Sequence, residues 1–161
     1  MSDLKLEAVR NADALRLADL RVEAMRPSLE AAGRFDPARA RRRFLDAFTA
    51  KDTRMIRCGR DLAGFIVVRR WPDHLYLDHL YLILPFQRRG IGGHVINALQ
   101  SEAQARMVPI RLTALRGSPA NDFYTSCGFQ LLSFDSQDNL YQWNPMVGSP
   151  ARQGAICGTP P

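Results

Sequence analysis

The segment Gln87-Arg88-Arg89-Gly90-Ile91-Gly92-Gly93 constrains this chain most, because it separates two runs of different period. An apolar, strand-like run from Leu75 to Leu84 precedes it, and a helix-like run begins near Ile91. Unpaired backbone N–H groups at a helix start point outward, glycine lets a phosphate approach the main chain, and the helix dipole favours negative charge. A strand, a glycine-bearing loop and a helix N-terminus in this order predict a diphosphate cradle, and therefore a phosphate-bearing cofactor.

The same letters without their context are also typical of a basic surface turn that contains glycines. Neither standard nucleotide fingerprint is present, since there is no Gly-x-Gly-x-x-Gly followed by an acidic residue and no Gly-x-x-x-x-Gly-Lys-Ser/Thr. The position of the loop between a strand and a helix is what favours the cradle.

Length and composition favour one soluble domain. A chain of 161 residues that is 46% hydrophobic can bury a sizeable core, but it is too short to expect two domains. No run approaches the eighteen or so apolar residues of a membrane span, and the segment Met1 to Lys5 lacks the apolar region of a signal peptide. Three widely spaced cysteines suggest reduced thiols and no zinc site. We therefore expect a cytoplasmic protein without a membrane partner.

The first half of the chain reads as one strand and two helices. Leu4, Leu6 and Ala8 alternate with charged residues as in a half-buried strand, and Asn11 is suited to cap a helix that runs to about Met25. Pro27 is expected to interrupt that helix and to produce a kinked junction. Asp36-Pro37 fits the cap and first position of the next helix.

The second half predicts an antiparallel meander followed by alternating helices and strands. Ile91, Val95, Leu99 and Ala103 recur every four residues, which gives the helix after the loop one apolar stripe. The other predicted elements are strands at Arg54 to Cys58, Leu62 to Arg69 and Ile110 to Leu115, a two-turn helix between Ser118-Pro119 and Gly128, and a hairpin of Phe129 to Ser136 with Leu140 to Trp143. The predicted order is β-α-α-β-β-β-α-β-α-β-β.

Two motifs in this frame resemble those of the GNAT N-acetyltransferase family. The loop resembles the acyl-CoA loop of that family, and Asp78-His79-Leu80-Tyr81-Leu82 resembles its fourth strand. The segment from Ala120 to Phe129 resembles the later Phe-Tyr and Gly-Phe signature, although the usual asparagine position falls on Gly117. The resemblance covers Leu4 to Pro145 and implies an α/β (α+β) fold, with a central mixed, mostly antiparallel sheet flanked by helices.

The resemblance also implies the domain organisation and the cofactor. We expect an acetyltransferase domain over residues 1–145 and a Gly/Pro/Ser-rich tail over residues 146–161. The co-substrate would be acetyl-CoA, with no metal. Residues expected to bind it are Leu80, Tyr81, Leu82, Gln87, Arg88, Arg89, Gly90, Ile91, Gly92, Gly93, Asn121 and Phe123.

Tyr124 is the strongest candidate for a catalytic residue. When an amine attacks the thioester, a thiolate is expelled, and a phenol with a pKa of about 10 can protonate it. The alternative is that Tyr124 only packs against the core or the cofactor.

Asp78 and His79 are the candidates for a general base, which an alkyl ammonium with a pKa near 10 requires. Successive strand residues face opposite ways, so at most one of the two would look into the groove unless a bulge intervenes. Either could instead make a structural hydrogen bond. The resemblance implies a bulge here, which would turn a backbone N–H between Leu80 and Leu82 towards the acetyl carbonyl.

The acceptor is the least determined part of the prediction. In the family, the first two helices and the last hairpin shape the acceptor groove, which here implicates Glu23, Arg26, Glu30, Phe35 and Tyr141. The acidic residues would suit a cationic amine and the arginines a carboxylate, although a solvated helix surface explains most of them. The stretch Arg21 to Leu29 resembles a bacterial subgroup without an assigned substrate.

A basic protein could also bind nucleic acid, because the net charge is +6 and Arg39, Arg41, Arg42 and Arg43 are close together. However, Ala40, Phe44 and Phe48 are spaced as the apolar side of a helix, which leaves the arginines on its solvated side, and acetyl-CoA itself attracts positive charge. We expect no nucleic-acid partner.

The leading hypothesis is thus an enzyme that transfers the acetyl group of acetyl-CoA to a primary amine of a small molecule, such as an amino acid, a polyamine or an antibiotic-like amine. It would act in a ternary complex, as a monomer or homodimer. The alternatives are a non-catalytic acyl-CoA sensor and an enzyme that acetylates a protein N-terminus or lysine.

Overall fold

The structure of the protein, a computed structural model, describes residues 3–147 of the chain. Within these residues, seven strands form one sheet in the order β1-β2-β3-β4-β5-β7-β6, with four α-helices against it. The strands are β1 Leu4–Ala8, β2 Thr53–Cys58, β3 Asp61–Arg70, β4 Leu75–Leu82, β5 Ile110–Leu115, β6 Gln130–Phe134 and β7 Asp138–Trp143. The helices are α1 Ala14–Ala31, α2 Pro37–Ala47, α3 Ile91–Arg106 and α4 Ala120–Ser126. The predicted element order and fold class are confirmed.

Helices cover both faces of the sheet and create two apolar cores. The helices α3 and α4 pack on one face, where Ile91, Val95, Leu99 and Ala103 form the predicted buried stripe. The helices α1 and α2 pack on the other face around Phe44 and Phe65. Because β3 is covered on both sides, Leu62 through Val68 reads as a nearly continuous apolar run.

One pairing in the sheet is both parallel and short. β4 and β5 are joined by the helical crossover α3, and they pair only at Leu75 with Ile110, Tyr76 with Arg111 and Leu77 with Leu112. All other neighbouring strands are antiparallel. The remainder of β4 and β5 therefore opens as a wedge.

Two predicted helix boundaries were wrong. Pro27 does not interrupt α1, which continues to Ala31, because an exposed proline removes only its own N–H bond and the neighbouring residues keep theirs. Asn11 does not cap α1 either, since residues Asn11–Asp13 form a separate 3₁₀ turn ahead of Ala14. The Asp36-Pro37 start of α2 is confirmed, and the Asp36 carboxylate accepts from the Arg39 N–H.

No helix within residues 3–147 is long and apolar enough to cross a membrane. The cysteines in this range, Cys58 and Cys127, are free thiols. The predicted tail from residue 146 onward lies almost wholly outside the described residues, as does Cys157.

Candidate active site

A single bulge in β4 sets the geometry of the wedge. Val68 pairs with Leu77 and Val67 pairs with His79, which leaves Asp78 as the extra residue. The Leu75 N–H donates to a carbonyl just before β5, whereas the Ile83 N–H donates to a carbonyl of β3. Leu75 and Ile83 are an even number of residues apart, so their N–H groups would point to the same side of a regular strand. Here they point to opposite sides, because the bulge reverses the alternation. The Leu80 and Leu82 N–H groups consequently face the wedge.

The wedge is part of a groove of about 1380 Å³. Its walls are β4, the end of β5, the loop before α3, the first turn of α3, one face of α1 and the side of α4 that carries Phe123 and Tyr124. Strand residues, loop amides and helix side chains that are far apart in sequence therefore share one cavity.

The loop before α3 presents a row of unpaired backbone donors. Arg88 and Gly90 have positive φ angles of 59° and 80°, which turn the chain sharply ahead of the helix. The first intrahelical bond is made by the His94 N–H, and within residues 3–147 the amides from Arg88 to Gly93 donate to no protein acceptor. The Gln87 side chain fixes the loop to β4 by donating to the Leu82 carbonyl at 2.9 Å. Six free amides at a helix N-terminus are an arrangement that can bind an anion such as a diphosphate.

Tyr124 places its hydroxyl in this groove. Its ring packs between Phe123 and Phe129, with centroids 5.1 and 5.7 Å away, so only 8% of the residue is exposed. The hydroxyl has no hydrogen-bond partner among the described residues, yet it is not among their fully buried unpaired atoms. Burial raises the pKa of Tyr124 well above its ordinary value. The group therefore remains protonated at neutral pH and is free to donate.

Asp78 and His79 both line the groove, because the bulge removes the usual alternation. One carboxylate oxygen of Asp78, Oδ2, accepts from Arg69 at 3.1 Å. The other, Oδ1, lies 3.7 Å from His79 Nε2 and makes no hydrogen bond to the described part of the chain. Asp78 thus keeps one oxygen available to a ligand.

His79 sits deeper, against Phe44 at 5.3 Å, with Nδ1 3.4 Å from the Tyr81 hydroxyl. Burial lowers its pKa to about 4; the nearby Asp78 opposes this change, and the positive charges of Arg21 and Arg69 add to it. His79 is therefore neutral at pH 7 and only weakly basic.

Asn121 and Tyr141 have structural roles that differ from the predicted ones. The Asn121 amide donates to the Leu115 and Ser118 carbonyls at 2.8 and 2.9 Å, and its oxygen accepts from Asn139 and from the Tyr141 hydroxyl, both at 2.8 Å. Because every polar atom of Asn121 is engaged, its side chain is not available to a cofactor. Tyr141 is a core residue, only 6% exposed, and does not reach the acceptor side of the groove.

Of the other predicted residues, some line the groove and others do not. Ile91 is buried in the core, so it offers the cofactor only its amide, and Arg89 lies over the Phe86 ring at 5.2 Å outside the groove. Of the predicted acceptor residues, Glu23 lines the groove, whereas Arg26, Glu30 and Phe35 do not. Arg26 pairs with Glu23 at 3.1 Å and lies 4.5 Å over the Phe35 ring.

Sequence reasoning missed most of the wall that α1 contributes. Leu20, Ala24 and Pro27 line the groove together with Glu23. Their spacing of four and three residues is the signal of one helix face, but an apolar helix face is also what a core contact requires. Only the position of α1 beside β4 assigns this face to the groove.

Within residues 3–147, no cluster of three or more histidine, cysteine or acidic residues is arranged to hold a metal ion.

Comparison with known proteins gives one family. The family model described as acetyltransferase (GNAT) domain matches residues 23–149. No curated protein matches the sequence.

The solved structures that resemble the chain share its fold at low sequence identity. The PaiA N-acetyltransferase from Thermoplasma acidophilum, in complex with coenzyme A, superposes with a TM-score of 0.71 at 15% identity, covering 88% of this chain and 98% of that one. A GNAT-family acetyltransferase from Listeria monocytogenes has a TM-score of 0.62 at 19% identity, with coverages of 88% and 94%. Arabidopsis thaliana Naa50, in complex with the bisubstrate analogue CoA-Ac-MVNAL, has a TM-score of 0.62 at 15% identity, with coverages of 88% and 99%.

Proposed function

Because the chain belongs to the GNAT acetyltransferase family and is an acetyl-CoA-dependent N-acetyltransferase, we propose that it acetylates a primary amine of a small molecule by direct attack in a ternary complex. The observation that carries this proposal is the groove itself. It brings the free amides of the α3 loop, the free N–H groups of β4 and the Tyr124 hydroxyl to one cavity.

The cofactor would be held by the loop and the wedge. The amides from Arg88 to Gly93 provide donors for the diphosphate of acetyl-CoA, and the positive end of the α3 dipole adds to the attraction. The pantetheine arm is itself rich in amides, and the unpaired edge of β4 between Leu80 and Leu82 offers it an extended partner. Phe123 and Leu82 supply apolar contacts next to Gly92.

The amine would be activated by Asp78. A general base has to accept a proton at the groove surface, and the Oδ1 atom of Asp78 is free to do so, directly or through one water molecule. His79 is less suitable, because its ring is only 11% exposed and packs against Phe44. We assign His79 a positioning role, in which its neutral ring orients the acceptor next to Asp78.

Two groups would assist the departure of the thiol. The Leu80 or Leu82 N–H can donate to the acetyl carbonyl oxygen as negative charge develops on it. Tyr124 can then give its phenolic proton to the sulfur that leaves, since a phenol is protonated at neutral pH and this hydroxyl lies in the groove without a hydrogen-bond partner among the described residues. In other enzymes, removal of one hydrogen-bond donor to the carbonyl oxygen lowers turnover about 10²- to 10³-fold.

Calorimetry and thiol release test this proposal together. The protein should bind acetyl-CoA and release free thiol when a panel of primary amines is added. Tyr124→Phe should lower kcat at least about tenfold and leave the Kd for acetyl-CoA nearly unchanged. Tyr76→Phe is the matched control, because that hydroxyl bonds Thr113 at 3.0 Å and Tyr76 does not line the groove.

The outcomes separate the parts of the proposal. Equal kcat for Tyr124→Phe and the parent protein would remove the general-acid role. Failure to bind acetyl-CoA would contradict the assignment of the loop. Binding without thiol release from any amine would favour a non-catalytic sensor.

A further inference from the structure

The acceptor side of the groove contains two carboxylates that are each only half engaged. Asp78 uses Oδ2 for Arg69 and leaves Oδ1 free. Glu23 uses Oε1 for Arg26 at 3.1 Å, and its Oε2 has no hydrogen bond within residues 3–147. In both cases the arginine lies outside the groove and holds the carboxylate from behind. Each carboxylate therefore keeps one oxygen for a ligand.

Pro27 belongs to the same wall. It lies four residues after Glu23 on α1 and, as a proline, donates no backbone N–H to the Glu23 carbonyl. Both residues line the groove.

The two carboxylates are paired with Arg26 and Arg69, neither of which lines the groove. The only lysine or arginine side chain among the described residues that line the groove is Arg88, in the loop before α3. Apart from Glu23 and Ser28, the α1 residues that line the groove are apolar, among them Leu20, Ala24 and Met25. A carboxylate on the acceptor would meet the free oxygens of Asp78 and Glu23, whereas an ammonium has three donors to place and an alkyl chain can cover the apolar wall.

We propose that the acceptor is an alkyl diamine, one amine reacting beside Asp78 while the distal ammonium binds the free carboxylate oxygen of Glu23. This inference rests on the proposed acetyl transfer, and it narrows the acceptor to a cationic, carboxylate-free class. Glu23 is then a specificity residue that contacts the end of the substrate away from the reaction. Because the Glu23 side chain is 69% exposed, its attraction should be screened by salt.

Three candidate acceptors, each with five consecutive methylene groups, test whether the enzyme prefers a diamine. Cadaverine ends in an ammonium, hexylamine in a methyl group and aminocaproate in a carboxylate. Thiol release at low ionic strength should give kcat/KM per amino group in the order cadaverine, hexylamine, aminocaproate, with about two- to fivefold between the first two, as expected for one exposed ion pair. Added salt should reduce that ratio.

Substitutions on α1 test whether Glu23 causes the preference for cadaverine over hexylamine. Glu23→Gln should remove the advantage of cadaverine over hexylamine. Glu30→Gln makes the same charge change on α1 outside the groove and should leave the ratio as it is. An unaltered ratio in Glu23→Gln would refute the role of Glu23.

The three acceptors also separate this inference from the proposed function. Equal kcat/KM for all three, or a preference for aminocaproate, would overturn the diamine assignment and leave acetyl transfer to amines intact. Absence of thiol release from all three, with acetyl-CoA still bound, would overturn both.

Discussion

Acid should destabilise this protein through His79 before most carboxylates titrate. The side chain is only 11% exposed, and its pKa is lowered from 6.5 to about 4, mainly by burial. Between these values the unfolded chain binds a proton that the folded protein does not, so the free energy of unfolding falls as the pH falls. The stabilisation is complete above about pH 7 and is lost progressively between pH 6.5 and pH 4. The full loss is about 3 kcal/mol, of which about 2 kcal/mol is expected by pH 5.

Urea denaturation at pH 7.5 and pH 5 measures this loss directly. The parent protein should lose about 2 kcal/mol more between the two pH values than His79→Gln, whose side chain does not titrate. His94→Gln is the matched control, because it makes the same substitution at an exposed histidine on α3. NMR titration of the three histidine rings adds a second readout. Equal pH dependence in His79→Gln and the parent, or a His79 midpoint between pH 6 and 7, would refute the reasoning.

Three further substitutions test the framework of the groove. Gly64→Ala would press its methyl group on the backbone of β4, within 2.9 Å of a Cα atom, and should lower the free energy of unfolding by about 3 kcal/mol or more in urea titrations. Asn121→Ala should cost about 2–4 kcal/mol by leaving several buried groups unpaired, while the folded protein keeps its Kd for acetyl-CoA in calorimetry; a large rise in Kd would restore its predicted cofactor contact. Gly92→Ala brings a methyl group within 3.1 Å of the Phe123 ring. The free energy of acetyl-CoA binding should decrease more than the free energy of unfolding does. Gly93→Ala meets no protein atom within 4 Å, so equal stability losses for the two variants would contradict the packing argument.

The fold could be predicted because its signals are local and periodic. The buried stripe on α3 follows from a repeat of four residues, and the start of α2 follows from an Asp-Pro pair whose capping bond is present. The predictions that were wrong depended on a single residue. Pro27 stays inside α1 because tertiary packing of the helix outweighs the loss of one hydrogen bond.

The candidate site was only partly predictable, for a different reason. The Arg88 to Gly93 amides could be anticipated because a glycine-bearing loop and a helix start are contiguous in sequence. Asn121 was predicted to contact the cofactor because it lies beside the Phe-Tyr motif, but its partners, Leu115, Asn139 and Tyr141, come from two other strands. A side chain with such distant partners cannot be assigned from its neighbours in the chain.

The sequence by itself determined the order of the elements, the position of the glycine-bearing loop before α3 and the family, since each depends on residues that are close together along the chain. Tertiary structure decided which way the side chains and amides of β4 face. One extra residue, Asp78, reverses the alternation after Leu77, and the shift exists only as register against β3. That register turns Asp78 and His79 to the same groove and the Leu80 and Leu82 amides to the wedge. Pairing between strands fixes the register, and a linear pattern of residues does not contain it.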